Sequence, residues 1–257
     1  MALSPDYSKL VYSETNVTMP GGLKTSAACD MSLYQANGGG GKGVLVVKVI
    51  CSLSFKNGTS ASGGDLVWTK DDKASFMNSM RSLVVTGWSD QHRITTTSTL
   101  PTVTDIGVQL DVRMKESMST FSHSHWNLTV KKVDKWNSSS IGGLDGGGFW
   151  NGSGSFDSLD IVPANKGPAT QRAAIHEFGH MLGLRDEYLN DKGKPEDNPN
   201  WTGDVQSVMN CGEQVRDRHY ALYAKWITDQ FKTVADLSRE TIEYKVNGSV
   251  TVATARL

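Results

Sequence analysis

The sequence lacks three features that would connect it to a membrane or to nucleic acid. It contains no apolar run near the roughly 20 residues that a membrane-spanning helix requires. Its start, MALSPDYSKLVYSETN, has neither the basic residues nor the apolar stretch of a secretory signal. Its charges nearly cancel, since 26 Lys and Arg face 27 Asp and Glu for a net charge of -1. We therefore expect no membrane insertion and no nucleic acid partner.

Cysteine is also scarce, because Cys29, Cys51 and Cys211 are the only three in 257 residues. An odd number allows at most one internal disulfide, and Cys29 with Cys51 is the pair that we consider first. The rest of the composition, 38% hydrophobic and 21% charged, is that of a folded globular protein. The length allows one large domain or two small ones.

Glycine runs and changes of hydrophobic period divide the chain into three parts. Residues 1–42 end in ANGGGGK, and we predict that they form an N-terminal appendage. The main domain, 43–232, opens with GVLVVKVICSLSF, a run of β-branched and apolar residues that predicts a buried strand. Residues 233–257 contain Asn-Gly at 247–248 between alternating runs, which predicts a C-terminal β-hairpin extension.

The first half of the main domain shows both helical and strand periods. TKDDKASFMNSMRSLVVTGW predicts a helix that Thr69 caps and Gly87 ends. Apolar and polar residues alternate at 108–114 and at 126–130, which predicts two strands in an antiparallel hairpin with one wet face. Residues 137–158 are so rich in glycine and serine that we predict a loop, which would form a wall of a cleft.

Two further helices are predicted in the last third of the chain. Residues 169–184, introduced by Pro168, are apolar with helical spacing up to a glycine. Residues 217–232 place Tyr220 and several other apolar side chains on one face. A polar segment and the sequence SVMNCG lie between these two helices.

The helix at 169–184 carries the sequence HEFGH, which is a metal-binding signature. His176 and His180 are four positions apart, so both imidazoles lie on one face of the helix and reach one ion. Glu177 lies beside them, where it can take a proton from the water molecule that attacks a carbonyl carbon. The motif predicts one catalytic Zn²⁺. A chance match is disfavoured, because two histidines and a glutamate are expensive to bury without a role.

A catalytic zinc site needs a third protein ligand in addition to two histidines. In HEFGHMLGLRDEY, Gly183 can adopt the left-handed conformation that ends a helix and turns the chain back toward the metal. This turn brings Asp186 within reach of the ion. Glu187 competes with Asp186, because zinc accepts oxygen from either carboxylate, but the spacing favours Asp186.

HEFGHMLGLRD followed by SVMN resembles the HExxHxxGxxH/D motif and methionine turn of the metzincin zinc peptidases, especially aspartate-bearing members such as snapalysin. The resemblance extends over 43–232, since metzincins have a strand, a long helix, further strands, the active-site helix, the methionine turn and a final helix in this order. It implies an α+β fold with a mixed twisted sheet and two long helices in the N-terminal subdomain. A small C-terminal subdomain would carry the methionine turn and the final helix, with the cleft at 176–186.

The resemblance also implies roles for single residues. His176, His180 and Asp186 match the zinc ligands, and Glu177 matches the general base. Gly183 matches the glycine that ends the helix, and Met209 matches the methionine beneath the metal. The chain departs from the family at Cys211, where several members have a tyrosine that reaches the zinc, so Cys211 stays open as a ligand. Tyr220 and His219 are open candidates for donating a hydrogen bond to the oxyanion, although a core tyrosine and a surface histidine explain them equally well.

Two functions of different classes fit this sequence. We first expect a zinc-dependent endopeptidase that holds an extended peptide or protein substrate against an edge strand and hydrolyses it with metal-activated water. The missing signal favours a monomeric effector or toxin that a bacterium exports, with a cytoplasmic protein as the alternative. The competing function is a noncatalytic, zinc-stabilised module whose 137–158 region binds a protein or a glycan. Glu177 disfavours that module, because a structural zinc site gains nothing from a general base.

Overall fold

A computed structural model describes the protein at residues 2–17, 29–117, 124–142, 152–190, 192–195, 198–234, 242–251 and 254. Over these residues the fold is α+β, with a mixed sheet and three α-helices, as predicted. The helices are α1 Lys70–Trp88, α2 Ala173–Met181 and α3 Ala221–Val234, and a 3₁₀ helix, Asp217–Tyr220, precedes α3. The strands are β1 Pro5–Val17, β2 Cys29–Ala36, β3 Lys42–Lys56, β4 Gly58–Thr59, β5 Asp65–Leu66, β6 Ile94–Thr95, β7 Asp105–Glu116, β8 Trp126–Lys131, β9 Ser140–Gly142, β10 Gly152–Asp157, β11 Ala164–Asn165, β12 Thr170–Gln171 and β13 Lys245–Val246.

Nine of the described strands form one sheet, whose main path runs β13, β6, β7, β3, β8, β10 and β9. β3 lies near its centre, parallel to β7 on one side and parallel to β8 on the other. β10 continues the parallel arrangement next to β8, and β9 closes the path as a short antiparallel edge strand. The predicted antiparallel hairpin of 108–114 with 126–130 is therefore wrong. β3 is buried on both faces, as central strands of parallel sheets are. It lies between β7 and β8, so these two strands do not pair with each other.

Two strands, β9 and β10, occupy the described part of 137–158, so the prediction of a loop is wrong there; 143–151 lies outside the described residues. The glycines of β10 are positions of close packing. A Cβ atom at Gly152 would lie 2.1 Å from the Trp126 ring, and one at Gly154 would lie 2.6 Å from Ile141. Glycine allows β10 to lie against these side chains, and composition alone does not distinguish that use from a loop.

The start of α1 is confirmed in detail. The Thr69 hydroxyl accepts a hydrogen bond from the Asp72 N–H at 3.1 Å, and the Asp72 carboxylate accepts one from the Thr69 N–H at 3.2 Å. The helix continues to Trp88 and does not end at Gly87 as predicted. A Cβ at Gly87 would lie 3.2 Å from Ile175, so this glycine allows α1 to approach α2 closely.

The N-terminal segment predicted as an appendage supplies two strands of the main sheet. β2 is antiparallel to β3 from Asp30 to Gln35, and β1 is antiparallel to β2. At the other end, β13 pairs with β6, and Asn247 and Gly248 have φ values of 49° and 78°, as expected for a two-residue turn. The limits proposed for the three parts of the chain stay predictions.

All three cysteines are free thiols, so the disulfide considered between Cys29 and Cys51 is absent from the structure. Both side chains are buried in the core, and burial raises the pKa of Cys51 to about 12. A thiol with so high a pKa is inert. Among the described residues no helix is both long enough and apolar enough to cross a membrane.

Candidate metal centre

Helix α2 carries the histidines, and its end determines where the chain goes next. It begins at Ala173, after β12, so the predicted start at residue 169 is wrong. Gly183 follows the helix with φ 88°, and the Leu184 N–H returns to the Gly179 carbonyl at 3.0 Å. This left-handed turn, predicted from Gly183, directs the following residues back along α2.

The turn brings Asp186 onto the two histidines. Its Oδ1 lies 3.2 Å from Nε2 of His176 and 3.2 Å from Nε2 of His180. These three residues form the group of potential metal ligands found among the described residues. Ligands at about 2.0–2.2 Å from a tetrahedral zinc ion are about 3.3 Å from one another, so the observed spacing suits such an ion.

The second nitrogen of each ring fixes its orientation. Nδ1 of His176 lies 2.8 Å from the Val208 carbonyl oxygen, and Nδ1 of His180 lies 2.8 Å from the Leu184 carbonyl oxygen. A carbonyl oxygen only accepts, so each Nδ1 carries a hydrogen and each ring directs its Nε2 at Asp186. Lone pairs facing a carboxylate repel unless a proton or a metal ion lies between them. Backbone acceptors on Nδ1 are the usual support of zinc-binding histidines.

The pKa values of this group reflect the same need for positive charge. Burial raises the pKa of Asp186, but hydrogen bonds from His176 and His180 outweigh burial and hold this pKa well below its usual range. Burial lowers the pKa of His180, but the hydrogen bond and the charge of Asp186, the charge of Glu177 and the hydrogen bond with Leu184 together outweigh burial and raise this pKa to about 9. A cation among the three side chains is therefore favourable, and a divalent metal meets that need.

Glu177 lies beside the cluster on the buried side of α2. It is 7% exposed, and its Oε2 has no hydrogen-bond partner among the described residues. Burial raises the pKa of this carboxyl, while His176 and His180 lower it by a smaller amount. A carboxylate with a raised pKa and a free oxygen has the properties of a general base.

His176 and Glu177 line a cleft of about 740 Å³. Residues 136–139, which lead into β9, supply part of its lining, and residues between 160 and 166 supply more. Tyr188 and its neighbour Leu189 line it after the turn at Gly183, and the Tyr188 ring lies 6.3 Å from the His176 ring. The cleft is large enough for a segment of peptide next to the metal-binding group.

The methionine turn lies directly against α2. Met209 is fully buried, and a Cβ added at Gly179 would lie 2.2 Å from the Met209 sulfur. The second variable position of the HExxH motif is therefore glycine because methionine occupies the space beside it. The Glu187 N–H donates to the Met209 carbonyl at 2.8 Å, which ties this turn to the residue after Asp186. Met209 therefore packs against the helix that carries the two histidines, and its role beneath a metal ion stays a prediction.

Gln171 is a buried organiser of the site that the sequence did not indicate. Its amide nitrogen lies 3.0, 2.8 and 2.9 Å from the carbonyl oxygens of Val208, Asn210 and Gly212. One side chain thus holds the backbone of the methionine turn next to the first residue of the metal cluster. A single glutamine gives no pattern in a sequence, so only the fold shows this role.

Glu187, the predicted competitor of Asp186, is engaged elsewhere. Its carboxylate accepts hydrogen bonds from Arg218 at 2.8 and 2.7 Å and from the Ser207 hydroxyl at 2.5 Å. His219 belongs to this buried network, since its Nε2 lies 3.3 Å from Glu187. The surface position considered for His219 is therefore wrong.

Tyr220 and Cys211 differ in their positions. Tyr220 is fully buried, its hydroxyl donates to the Trp88 carbonyl, and it accepts from the Gln91 N–H at 3.2 Å. Because it lies in the core and not in the cleft lining, we give Tyr220 no catalytic role. Cys211 lines the cleft and is outside the ligand group.

We predict that Asp186→Ala removes most of the bound zinc, because two histidines alone do not form a stable site. Asp186→His should restore binding, since it recreates three nitrogen ligands at the same spacing. Zinc content is measured on purified protein by atomic emission. Asp229→Ala, which removes an exposed carboxylate on α3, is the control and should keep about one zinc. Stoichiometric zinc in Asp186→Ala would contradict the assignment of the third ligand.

Comparison with known proteins does not assign the chain to a family. No protein-family model matches it, and no curated protein or solved structure matches it significantly.

Proposed function

We propose that the protein is a zinc-dependent endopeptidase. The observation that carries the proposal is the convergence of two Nε2 atoms on one carboxylate oxygen, at 3.2 Å each, next to Glu177, whose Oε2 has no hydrogen-bond partner among the described residues. His176, His180 and Asp186 would hold the ion, and Glu177 stands next to them in the cleft. When bound, zinc polarises a substrate carbonyl and lowers the pKa of water.

The chain's own residues supply the proton transfers of hydrolysis. Glu177 accepts the proton that the attacking water loses, and its raised pKa allows it to hold that proton. The same carboxyl then donates the proton to the leaving amine, which cannot depart as an anion. The peptide bond is thereby replaced by a carboxylic acid and an amine, with one water consumed, and the acid then gives its proton to the amine or to solvent.

A substrate segment is expected to bind along β9. Among the described strands β9 pairs with β10 alone, so its other edge presents backbone groups that an extended peptide can pair with. The residues just before it, 136–139, line the cleft that contains Glu177. A peptide paired with β9 therefore passes close to the general base.

The order of the elements supports a metzincin-like peptidase. β3, α1, β7 to β10, α2, Met209 and α3 follow one another in the order that the resemblance implies. That the substrate is a peptide or a protein, and that a bacterium exports the enzyme, are predictions from the sequence.

A noncatalytic zinc module is less well supported. Such a module needs the three ligands but has no use for Glu177, whose buried Oε2 makes no hydrogen bond to any described residue. Burying an unsatisfied carboxyl oxygen lowers the stability of the fold. A role in catalysis explains why such a group is present.

The test is incubation of the protein with a mixed peptide library, read by mass spectrometry. We expect internal cleavage that a chelator abolishes and that added zinc restores. The Asp186→Ala variant, incubated under the same conditions, should produce no new termini. Cleavage that persists in both the chelator and the Asp186→Ala samples would refute the proposal, and so would the absence of cleavage in zinc-loaded parent protein.

A further inference from the structure

We propose that Trp136 selects substrates with a bulky apolar side chain, above all an aromatic one, close to the scissile peptide bond. This inference rests on the endopeptidase function proposed above and deepens it by naming a substrate class. Trp136 lines the same cleft as His176 and Glu177.

Trp136 is unusually exposed for a tryptophan at the rim of a cleft. Its side chain is 52% exposed, whereas the large rings of Trp88 and Trp126 are fully buried. Exposing a large apolar ring has a cost in water, and such rings beside a concave site mark a place where a ligand covers them.

The exposed ring is held in place by the turn 157–160. The indole N–H of Trp136 donates to the Leu159 carbonyl at 3.2 Å. The following backbone N–H, of Asn137, donates to the Asp157 carboxylate at 2.9 Å, and the Ser139 hydroxyl donates to the Asp160 carboxylate at 2.5 Å. A ring fixed before the substrate arrives loses little conformational entropy on binding, so its apolar face contributes fully to affinity.

A second apolar side chain lies at the same rim. Leu189 is 50% exposed and lines the cleft from the segment after Asp186. Among the cleft-lining residues described, Trp136 and Leu189 are the large apolar side chains with high exposure. A substrate paired with β9, which begins at Ser140, lies close to Trp136, since the four residues from 136 to 140 span at most about 13 Å at about 3.3 Å per residue.

Cleavage-site profiling with the peptide library tests the inference. We expect the parent protein to cut beside Phe, Tyr, Trp or Leu at one position near the scissile bond. For a matched peptide pair with Phe or Ala at that position, kcat/KM should differ at least about tenfold. Trp136→Ala should bring this ratio close to one, mainly through KM, and Trp136→Phe should keep most of it. The ratio within one variant does not depend on how much of that variant is folded.

Tyr7→Ala is the matched control, because Tyr7 is an aromatic residue, 70% exposed, on β1 and outside the cleft lining. It should keep the parent ratio. The inference is overturned if the parent shows no apolar preference, if Trp136→Ala keeps the preference, or if Tyr7→Ala loses it.

A binding measurement separates this inference from the proposed function. Fluorescence polarisation of the labelled Phe and Ala peptides is measured on Glu177→Gln and on Glu177→Gln with Trp136→Ala. Tighter binding of the Phe peptide, lost in the double variant, supports the role of Trp136 even if the parent cleaves nothing and the endopeptidase proposal fails. Equal binding of both peptides to Glu177→Gln overturns the inference, whatever the parent cleaves.

Discussion

Glu177→Gln is expected to lower kcat roughly 10³-fold while the protein keeps its zinc, because the amide has the shape of the carboxyl but accepts no proton from water. Its Oε2 makes no hydrogen bond among the described residues, so the substitution removes no visible contact. Steady-state kinetics on a peptide from the library measures the loss, and atomic emission measures zinc. The melting temperature should change little.

The control is Glu116→Gln, the same chemical change at an exposed carboxylate paired with Lys73. This variant should keep the parent kcat and zinc content. Near-parent activity in Glu177→Gln would mean that another group acts as the base. Loss of zinc in Glu177→Gln would instead show that the side chain serves the metal and not the proton transfer.

Arg218→Met is expected to lower the free energy of unfolding by about 3–5 kcal/mol, the usual cost of removing one partner of a buried ion pair. Arg218 makes two hydrogen bonds to Glu187, whose side chain is 1% exposed, and one to Asp204 at 2.7 Å. Burial raises the pKa of Glu187, but the hydrogen bonds of Arg218, His219 and Ser207 together lower it to about 2, so Arg218→Met removes the largest stabilising contact of this buried carboxylate. Urea unfolding in the presence of a chelator measures the change without a contribution from zinc.

Two variants test the cause of that loss. Lys225→Met breaks an exposed pair with Asp229 on α3 and should cost less than about 1 kcal/mol. Adding Glu187→Gln to Arg218→Met should recover part of the stability, because it removes the uncompensated charge. If Arg218→Met costs no more than Lys225→Met, the buried network is not a major source of stability.

The cluster of His176, His180 and Asp186 was predictable because its geometry is local. The spacing of His176 and His180 fixes both rings on one helix face, and Gly183 alone accounts for the turn that returns Asp186. The capped start of α1 at Thr69 was predictable for the same reason, since a capping box lies within one helical turn.

Strand pairing and packing could not be predicted, because they depend on residues far apart in the chain. The alternation at 108–114 and 126–130 identified two strands but not that β3 separates them. The glycine-rich composition around Gly152 predicted a loop, whereas Gly152 lies in a strand and leaves space for the Trp126 ring. Trp136 belongs to no motif in the sequence, and only the fold places it on the cleft.

The three candidate metal ligands lie within one short stretch, 176–186, and this short separation affects the order in which the protein folds. One of the two bonds that orient the rings, from His180 to Leu184, also lies inside this stretch. The other reaches Val208, 32 positions away, and the bond from Arg218 to Glu187 spans 31. Closing a short loop costs less chain entropy and takes less time than joining distant segments. The residues of the candidate metal centre can therefore come together before the sheet is complete, and the distant contacts then fix them in place.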